Sequence, residues 1–283
     1  MDIVDTHCHI LSPDLDRYPR APLGGKQSGW AGSRPVTAEG MVERMDEAGI
    51  ARSVLVQATT AYGYDNSYVV DSTRRAPDRF VAVGTVDPLR PDADDELTAL
   101  VEGGGLSGVR LFTTGSTVPT QGEWFAAPET APFWTRAGEL GVTVCLQMRL
   151  GPAVEQLHTL LRDFPDVRVL LDHMAYPDVA ASPTAAGKEV AEFAMHPGLH
   201  LKLTHRTLDP LHELGAGAAG FLDPVLSAFG ADRIAWGSNL PAAEQPLPEL
   251  VALARNVLAD LSPAEQQEIF SGTARRLYPQ LAR

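Results

Sequence analysis

Short apolar runs rich in β-branched residues recur along the chain, and most are followed by a segment with the periodicity of an amphipathic helix. The runs are continuously apolar rather than alternating, which is typical of parallel strands that are buried on both faces. Strands are predicted at residues 3–5, 53–57, 80–85, 108–112, 143–147, 168–172, 199–204 and 234–237. Helices are predicted at residues 38–48, 66–76, 93–102, 133–140, 153–163, 185–196, 220–229 and 247–259, and a capping box at Ser262 opens a last helix to about residue 277.

This alternation of strands and helices predicts a parallel (β/α)8 barrel of the TIM type, as a single domain over residues 1–283. An open doubly wound sheet is the alternative, but no glycine-rich phosphate-binding sequence follows the first strand. Two irregular stretches, 11–36 and 113–130, follow the first and fourth strands. In a barrel both would lie on the C-terminal face, where long loops shape the site.

Composition narrows the class of protein. A hydrophobic content of 44% with 21% charged residues is ordinary for a soluble globular protein. The net charge of −13 argues against partners such as nucleic acid or anionic membranes. No apolar stretch is long enough to span a bilayer, and the acidic start does not resemble a signal peptide. The two cysteines, Cys8 and Cys145, form no disulfide framework, so a cytoplasmic location is expected.

The sequence Asp5-Thr6-His7-Cys8-His9 follows the first apolar run. Because side chains alternate along a strand, His7 and His9 point to the same face. Two converging imidazoles can hold a metal ion, or they can polarise a substrate carbonyl. The alternative is structural, with one histidine capping a turn and the other satisfied in the core. Asp5 is expected to point away from the histidines and Cys8 toward the helices, so both are interpreted as structural.

Chemistry in a (β/α)8 barrel lies at the C-terminal ends of the strands. His173 ends the sixth strand as His9 ends the first, which favours a catalytic or substrate-polarising role over core packing. Arg110 lies inside an apolar strand, where an unpaired charge costs several kcal/mol, so its partner is either an internal acid or an anionic group of the substrate. The other polar residues at strand ends are Gln57, Gln147, Arg149, Arg206, His205 and Asn239. The first four are expected to bind substrate and Asn239 to be catalytic, while Asp87 is interpreted as part of a turn.

Several motifs together resemble a known family. They are Val4-Asp5-Thr6-His7-Cys8-His9, Gly108-Val109-Arg110, Leu171-Asp172-His173-Met174, Lys202-Leu203-Thr204, Trp236-Gly237-Ser238-Asn239-Leu240-Pro241 and Gly272-Thr273-Ala274. In order and spacing they resemble the amidohydrolase superfamily, amidohydrolase-2 branch. Within that branch they are most similar to the lactonase group, which includes 2-pyrone-4,6-dicarboxylate lactonase, L-fuconolactonase and galactarolactone isomerase. The segment 61–67, with Tyr62, is similar to the substrate loop of that group.

The resemblance implies a hydrolase that opens a small carboxylated lactone. It assigns His7, His9 and His173 to the substrate carbonyl and Arg110 to a carboxylate. Metal-dependent members carry histidine at the end of strand five and aspartate after strand eight, where this chain has Gln147 and Asn239. A divalent ion prefers several good ligands, usually including an anionic one. We therefore expect no cofactor, or at most an adventitious ion such as zinc at His7 and His9.

Asn239 also leaves the reaction open. In hydrolytic relatives the aspartate at this place is the general base, and an asparagine cannot take a proton at physiological pH. The expected function is a metal-independent hydrolase of lactones that uses another base, such as a histidine. The alternative functions are a lactone isomerase acting by intramolecular acyl transfer, a metal-dependent hydrolase or non-oxidative decarboxylase, and a non-catalytic binding barrel. Asn239 could also be an introduced substitution for a native aspartate. A small-molecule substrate is expected, and the oligomeric state is left open.

Overall fold

The structure of the protein is a computed structural model that describes residues 2–115, 117–118, 120–151 and 153–282. Two predicted regions include residues that the structure does not describe: the domain over residues 1–283 and the loop over residues 113–130. The residues that lie outside are Met1, Ser116, Pro119, Pro152 and Arg283.

Eight parallel strands pair in the order of the sequence and form a barrel. The strands are β1 (Val4–Cys8), β2 (Arg52–Val56), β3 (Phe80–Gly84), β4 (Leu106–Phe112), β5 (Thr143–Gln147), β6 (Arg168–Leu171), β7 (Leu199–Leu203) and β8 (Ile234–Trp236). The segment after β8 returns to β1, where the Asn239 N–H donates to the His7 carbonyl at 2.7 Å and the His9 N–H donates to the Leu240 carbonyl at 2.8 Å. The predicted (β/α)8 architecture is confirmed.

Helices connect the strands in the part of the chain that the structure describes. They are α1 (Gly29–Ser33), α2 (Ala38–Ala48), α3 (Thr59–Tyr62), α4 (Ser67–Arg75), α5 (Ala93–Glu102), α6 (Ala131–Leu140), α7 (Val154–Asp163), α8 (Pro183–Ala191), α9 (His205–Leu214), α10 (Ala219–Phe229), α11 (Leu247–Val257), α12 (Pro263–Gln267) and α13 (Thr273–Leu277). Helices α2 and α5 have the predicted bounds. Among the described residues, no helix combines the length and the apolar character needed to cross a membrane.

Several elements of the structure differ from the prediction. Strand β1 continues to Cys8 instead of ending at residue 5, and its pairing with β2 shifts register between Asp5 and Cys8. Helices α1, α3 and α9 were not predicted, and α9 contains Pro210 in its interior, where proline is disfavoured. The last helix is interrupted by the π-helical segment Glu268–Gly272 between α12 and α13.

The C-terminal segment closes the N-terminal end of the barrel. One buried apolar cluster combines alternate strand residues such as Val54, Val81 and Cys145 with Leu277 and Tyr278. The hydroxyl at the start of β5, on Thr143, donates to the Leu277 carbonyl at 2.8 Å. With that end filled, access to the barrel interior is left to the opposite, C-terminal face.

Candidate active site

A cavity of about 1130 Å³ opens at the C-terminal ends of the strands. Both long irregular loops contribute to it, through Trp30 from the first and Thr114 from the second. This confirms that the two loops lie on the site face of the barrel. The predicted site residues that line the cavity are His9, Arg110, Gln147, Arg149, His173, Arg206 and Asn239.

Three imidazoles form a cluster at the floor of this cavity. The Nε2 atoms of His7 and His9 are 3.2 Å apart, and the ring centroids of His7 and His173 are 5.1 Å apart. His7 is fully buried directly beneath the lining residues, and His9 stacks on Trp30 with a centroid distance of 5.2 Å. The shared strand-end position of these histidines therefore brings them together.

Hydrogen-bond partners fix the protonation of two of these rings. His9 Nδ1 lies 2.8 Å from the Val56 carbonyl, which can only accept, so Nδ1 carries the proton and Nε2 of neutral His9 is an acceptor. His7 Nε2 then donates to His9 Nε2, and His7 Nδ1 accepts from the Lys202 ammonium at 3.0 Å. The resulting chain runs from Lys202 through His7 and His9 to Val56.

All three histidines are held neutral. Burial lowers the pKa of His9 to about 3, with Arg110 adding to the effect. Burial also lowers the pKa of His7 well below its ordinary value, and the Lys202 charge lowers it further. Burial lowers the pKa of His173 in the same direction, even though Asp172 opposes the shift. At neutral pH these rings act as hydrogen-bond donors and acceptors rather than as cations.

Beneath the imidazoles lies a buried ion-pair network centred on Asp172. One carboxylate oxygen is 2.7 Å from the Lys202 ammonium, and the other is 2.7 Å from Nε of Arg110. Burial alone would raise the pKa of Asp172, but the charges of Lys202 and Arg110 outweigh burial and hold that pKa well below its ordinary value. Asp172 is therefore an anion whose charge is matched by two cations.

Arg110 thus has the internal acid partner that the sequence left open, and it also faces the cavity. Its guanidinium pairs with Asp172, donates to Gln147 and still lines the open space. Gln147 in turn donates to the Tyr176 hydroxyl at 3.1 Å, and Arg149 stacks over the Tyr176 ring at 4.7 Å. The role of Arg110 in substrate binding stays a prediction.

The turn after β6 is strained. His173, Met174, Ala175 and Tyr176 all have left-handed backbone conformations, with φ between 53° and 60°. This conformation costs an L-residue about 1–2 kcal/mol, and such strain concentrates at functional sites. The turn places the rings of His173 and Tyr176 side by side, with centroids 5.0 Å apart, and the His173 Nδ1 lies 2.8 Å from the Thr204 hydroxyl.

Asn239 lies where the segment after β8 meets β1. Its backbone is also left-handed, at φ 59°, and its side chain is 4% exposed at the cavity wall. Asp5 supports this junction from behind, since its carboxylate accepts from the backbone N–H of His7 at 2.9 Å and of Ser238 at 2.8 Å. Asp5 therefore holds backbone groups of this junction and does not line the cavity.

Gln57 and Tyr62 do not line the cavity, and their expected role in substrate binding stays a prediction. The Gln57 amide donates to the carbonyls of Gly63 and Asp65, each at 2.9 Å, and its oxygen accepts from Thr59. The Tyr62 hydroxyl accepts from the Ser12 N–H at 2.8 Å. Both polar groups are used to hold loops together, which explains their place outside the cavity.

The sequence analysis gave no functional role to Lys202, Asp172 or His205. Lys202 could have been identified from the sequence, because it lies between Leu201 and Leu203 in a predicted strand. A charge buried in a strand requires a partner of opposite charge. Asp172 was noted only as the neighbour of His173. His205 was noted only as a strand-end residue, yet it begins α9 and lines the cavity together with Asp209, one turn along the same helix.

A metal ion could be held at one place in the part of the chain that the structure describes. His7, Asp172 and His173 each offer a ligand atom, and these atoms lie within 4.8 Å of one another. The expected pair was His7 and His9, but His9 Nε2 already accepts from His7. Both oxygens of Asp172 already pair with cations, so any ion would compete with Lys202 and Arg110 for this carboxylate.

Comparisons with known proteins agree with this picture. The family model described as amidohydrolase matches residues 4–280. The L-fucono-1,5-lactonase of Burkholderia ambifaria is 27% identical over 201 residues, which cover 69% of this chain and 67% of that protein.

Solved structures share the fold. A Pseudomonas putida protein assigned as a 2-pyrone-4,6-dicarboxylic acid hydrolase superposes with a TM-score of 0.79 at 21% identity, covering 99% of this chain and 98% of that one. An amidohydrolase from Burkholderia multivorans with bound zinc superposes with a TM-score of 0.74 at 22% identity, covering 99% of both chains. Because the family model spans nearly the whole chain, this protein belongs to the amidohydrolase family and is an enzyme of the hydrolase class.

Proposed function

We propose that this protein hydrolyses the ester bond of a small carboxylated lactone without a metal cofactor. One observation carries the proposal: neutral imidazoles and arginine side chains face the same cavity, so a carbonyl and a carboxylate of one small molecule can be bound together. The similarity to an L-fucono-1,5-lactonase supports a lactone as the substrate. The C–O bond of the lactone ring is the bond that breaks.

The charge of the cavity supports an anionic substrate. The chain as a whole carries a net charge of −13, yet Arg110, Arg149 and Arg206 all line this cavity. Arg206 is exposed and Arg149 stacks on Tyr176, so both guanidinium groups can turn toward a ligand. A guanidinium binds a carboxylate through two parallel hydrogen bonds, which fixes orientation as well as charge.

The hydrogen-bond chain supports polarisation of the carbonyl by His7. Its Nε2–H donates to His9 at the cavity floor, and a carbonyl oxygen that takes the place of the His9 Nε2 atom would accept the same hydrogen bond. As negative charge develops on this oxygen, the bond strengthens, and the Lys202 ammonium behind His7 Nδ1 stabilises the charge. His9 is an acceptor in this network, so the donor to the carbonyl is His7 and not both members of the pair.

The donor set fits a resident divalent ion poorly. The carboxylate of the cluster is already matched by Lys202 and Arg110, and the neutral amides of Gln147 and Asn239 stand where stronger ligands would be needed. Zinc and similar ions prefer unengaged anionic or imidazole donors. In the proposed reaction the cations Lys202 and Arg110 supply the electrostatic stabilisation.

A second candidate function is lactone isomerisation, and Asn239 is the observation that favours it. An asparagine at the cavity wall cannot activate water, whereas an internal hydroxyl of a polyhydroxylated lactone could attack its own carbonyl. The two reactions differ in products, because hydrolysis releases an acid and isomerisation does not.

A pH-indicator screen of carboxylated sugar and aromatic lactones tests the proposal. We expect acid release with wild-type protein, and a rise in KM of about tenfold or more for Arg206→Met, corresponding to a lost charged hydrogen bond. Arg90→Met is the matched control, since Arg90 pairs with Asp92 on the surface. Conversion of a lactone without acid release would favour the isomerase, and a lack of any conversion would overturn both.

A further inference from the structure

We propose that His205 is the general base that activates water for attack on the lactone carbonyl, in the place of the carboxylate that Asn239 does not provide. This inference rests on the proposed lactone hydrolysis and names the residue that carries its first proton transfer. It assigns the role of base to a histidine of α9 and leaves the polarisation of the carbonyl to the imidazole cluster.

The contacts of His205 leave one ring nitrogen available. His205 is the first residue of α9, is 7% exposed and lines the cavity. Its Nδ1 lies 3.4 Å from the Ser238 carbonyl, an obligatory acceptor, so Nδ1 carries the proton. Nε2 then holds a lone pair, and among the described residues it has no hydrogen-bond partner. By contrast, the lone pair of His9 is occupied by the His7 N–H.

His205 also stands beside the position of the missing carboxylate. The Ser238 carbonyl that it contacts is joined by one peptide bond to Asn239, and the Asn239 N–H donates to the His7 carbonyl at 2.7 Å. Hydrogen bonds therefore connect the end of β7, at His205, to the segment after β8, at Ser238 and Asn239, and connect that segment to His7 on β1. A water molecule between Nε2 of His205 and a carbonyl held by His7 would lie within the same cavity.

The protonation state of His205 suits a base. Burial lowers the pKa of His205 to about 4, Arg206 lowers it further, and the Ser238 carbonyl opposes the shift. The helix N-terminus also disfavours a positive charge at this residue. The other groups near it are Asp209, one turn along α9, and His173, which reaches the same strand end through Thr204. Neutral His205 is thus the state present at pH 7.

The proton transfers balance. His205 Nε2 takes a proton from water as the water oxygen bonds to the carbonyl carbon. The carbonyl oxygen becomes an anion, which is stabilised by accepting a hydrogen bond from the His7 Nε2–H. The tetrahedral intermediate collapses, the ring C–O bond breaks, and the proton on His205 passes to the departing alkoxide. The product is an open-chain hydroxy acid, which releases its acidic proton to solvent, and His205 returns to its neutral state.

The test uses full-length protein, with 2-pyrone-4,6-dicarboxylate as the probe. His205→Gln retains an N–H for Ser238 but has no basic nitrogen, so it should fold and lose about 10²–10⁴-fold in kcat while KM changes little. His205→Ala should be equally slow and should regain activity with added imidazole. His212→Gln, on the same helix but exposed and bonded to Asn256, should leave kcat unchanged.

The wild-type pH profile gives a readout that does not depend on any variant folding. If His205 is the base, kcat/KM rises with pH through an apparent pKa near 4, and His205→Gln lacks this limb. Wild-type hydrolysis with undiminished kcat in His205→Gln would overturn the role of His205 and leave the proposed function intact. A loss of kcat in Asp209→Asn but not in His205→Gln would also overturn it. Absence of wild-type hydrolysis would overturn both proposals.

Discussion

The ammonium of Lys202 lies 2.7 Å from a carboxylate oxygen of Asp172, and both side chains are fully buried. This pair stands directly behind His7, whose Nδ1 accepts from the same ammonium. Burying two charges is costly, and the cost is offset only when partners are well placed. Here the pair orients His7, so the charge network and the imidazole cluster form one unit.

Removing the shared anion should destabilise the protein strongly. Asp172→Asn leaves Lys202 and Arg110 buried without a counter-charge, so the free energy of unfolding should fall by about 3–5 kcal/mol in chemical denaturation. Lys202→Met added to Asp172→Asn should recover part of the loss, because it removes one unpaired charge. Asp92→Asn is the control at an exposed ion pair and should leave stability unchanged. Equal stability of Asp172→Asn and wild type would show that the network is not structural.

Asp5 should make the folded state less stable as the pH rises. Burial raises the pKa of Asp5 from 3.8 to about 6, despite opposing hydrogen bonds from Ser238 and His7. A raised folded-state pKa contributes stability that is complete below pH 3.8 and is lost as the pH passes through 6. Asp5→Asn removes this titration and keeps acceptors for both N–H groups. Its stability relative to wild type should therefore improve by about 2–3 kcal/mol between pH 4 and pH 7.

Denaturation curves of the two proteins at several pH values measure this difference directly. Buried neutral histidines act in the opposite sense, because lowered pKa values contribute stability above pH 6.5 that is lost in acid. Comparing Asp5→Asn with wild type cancels their effect, since both proteins contain the same histidines. A difference that does not change with pH would mean that Asp5 titrates normally.

The hydrogen-bond chain predicts distinct tautomers for neighbouring rings. His9 should carry its proton on Nδ1, and His7 should carry its proton on Nε2, because Val56 can only accept and Lys202 can only donate. Long-range ¹H–¹⁵N correlation spectra of ¹⁵N-histidine-labelled protein at pH 7 distinguish the two forms. Exposed His212 provides a reference signal. A protonated Nε2 on His9 would break the proposed chain.

The sequence was sufficient for the barrel and for the imidazole cluster, because both depend on local patterns. Continuous apolar runs mark buried parallel strands, and strand ends of a barrel share one face. The partners of Arg110 and Lys202 could not be predicted, since spacing along the chain does not show which acid lies between them. Gln57 had a strand-end position like that of Gln147, but only the structure shows its amide bonded within a loop.

Replacing Asn239 by aspartate should not create a faster hydrolase. If His205 is the base, a carboxylate at position 239 adds negative charge to a cavity that binds an anion, and kcat/KM for carboxylated lactones should fall. If the enzyme instead lacks a general base, Asn239→Asp would restore one, and the rate of lactone hydrolysis would rise by about 10²–10⁴-fold. Titration of released acid compares wild type with Asn239→Asp, and Asn256→Asp, at an exposed position of α11, serves as the control for an added charge. A large gain would show that position 239 is the natural site of the base.

Metal-independent hydrolysis is tested most directly by measuring acid release from a carboxylated lactone before and after dialysis of the protein against a chelator. The metal content of both samples is determined in parallel. We predict the same rate in both samples, with metal far below one ion per chain, because Lys202 and Arg110 already neutralise Asp172. One zinc ion per chain, with activity lost on chelation and restored by added zinc, would contradict this prediction.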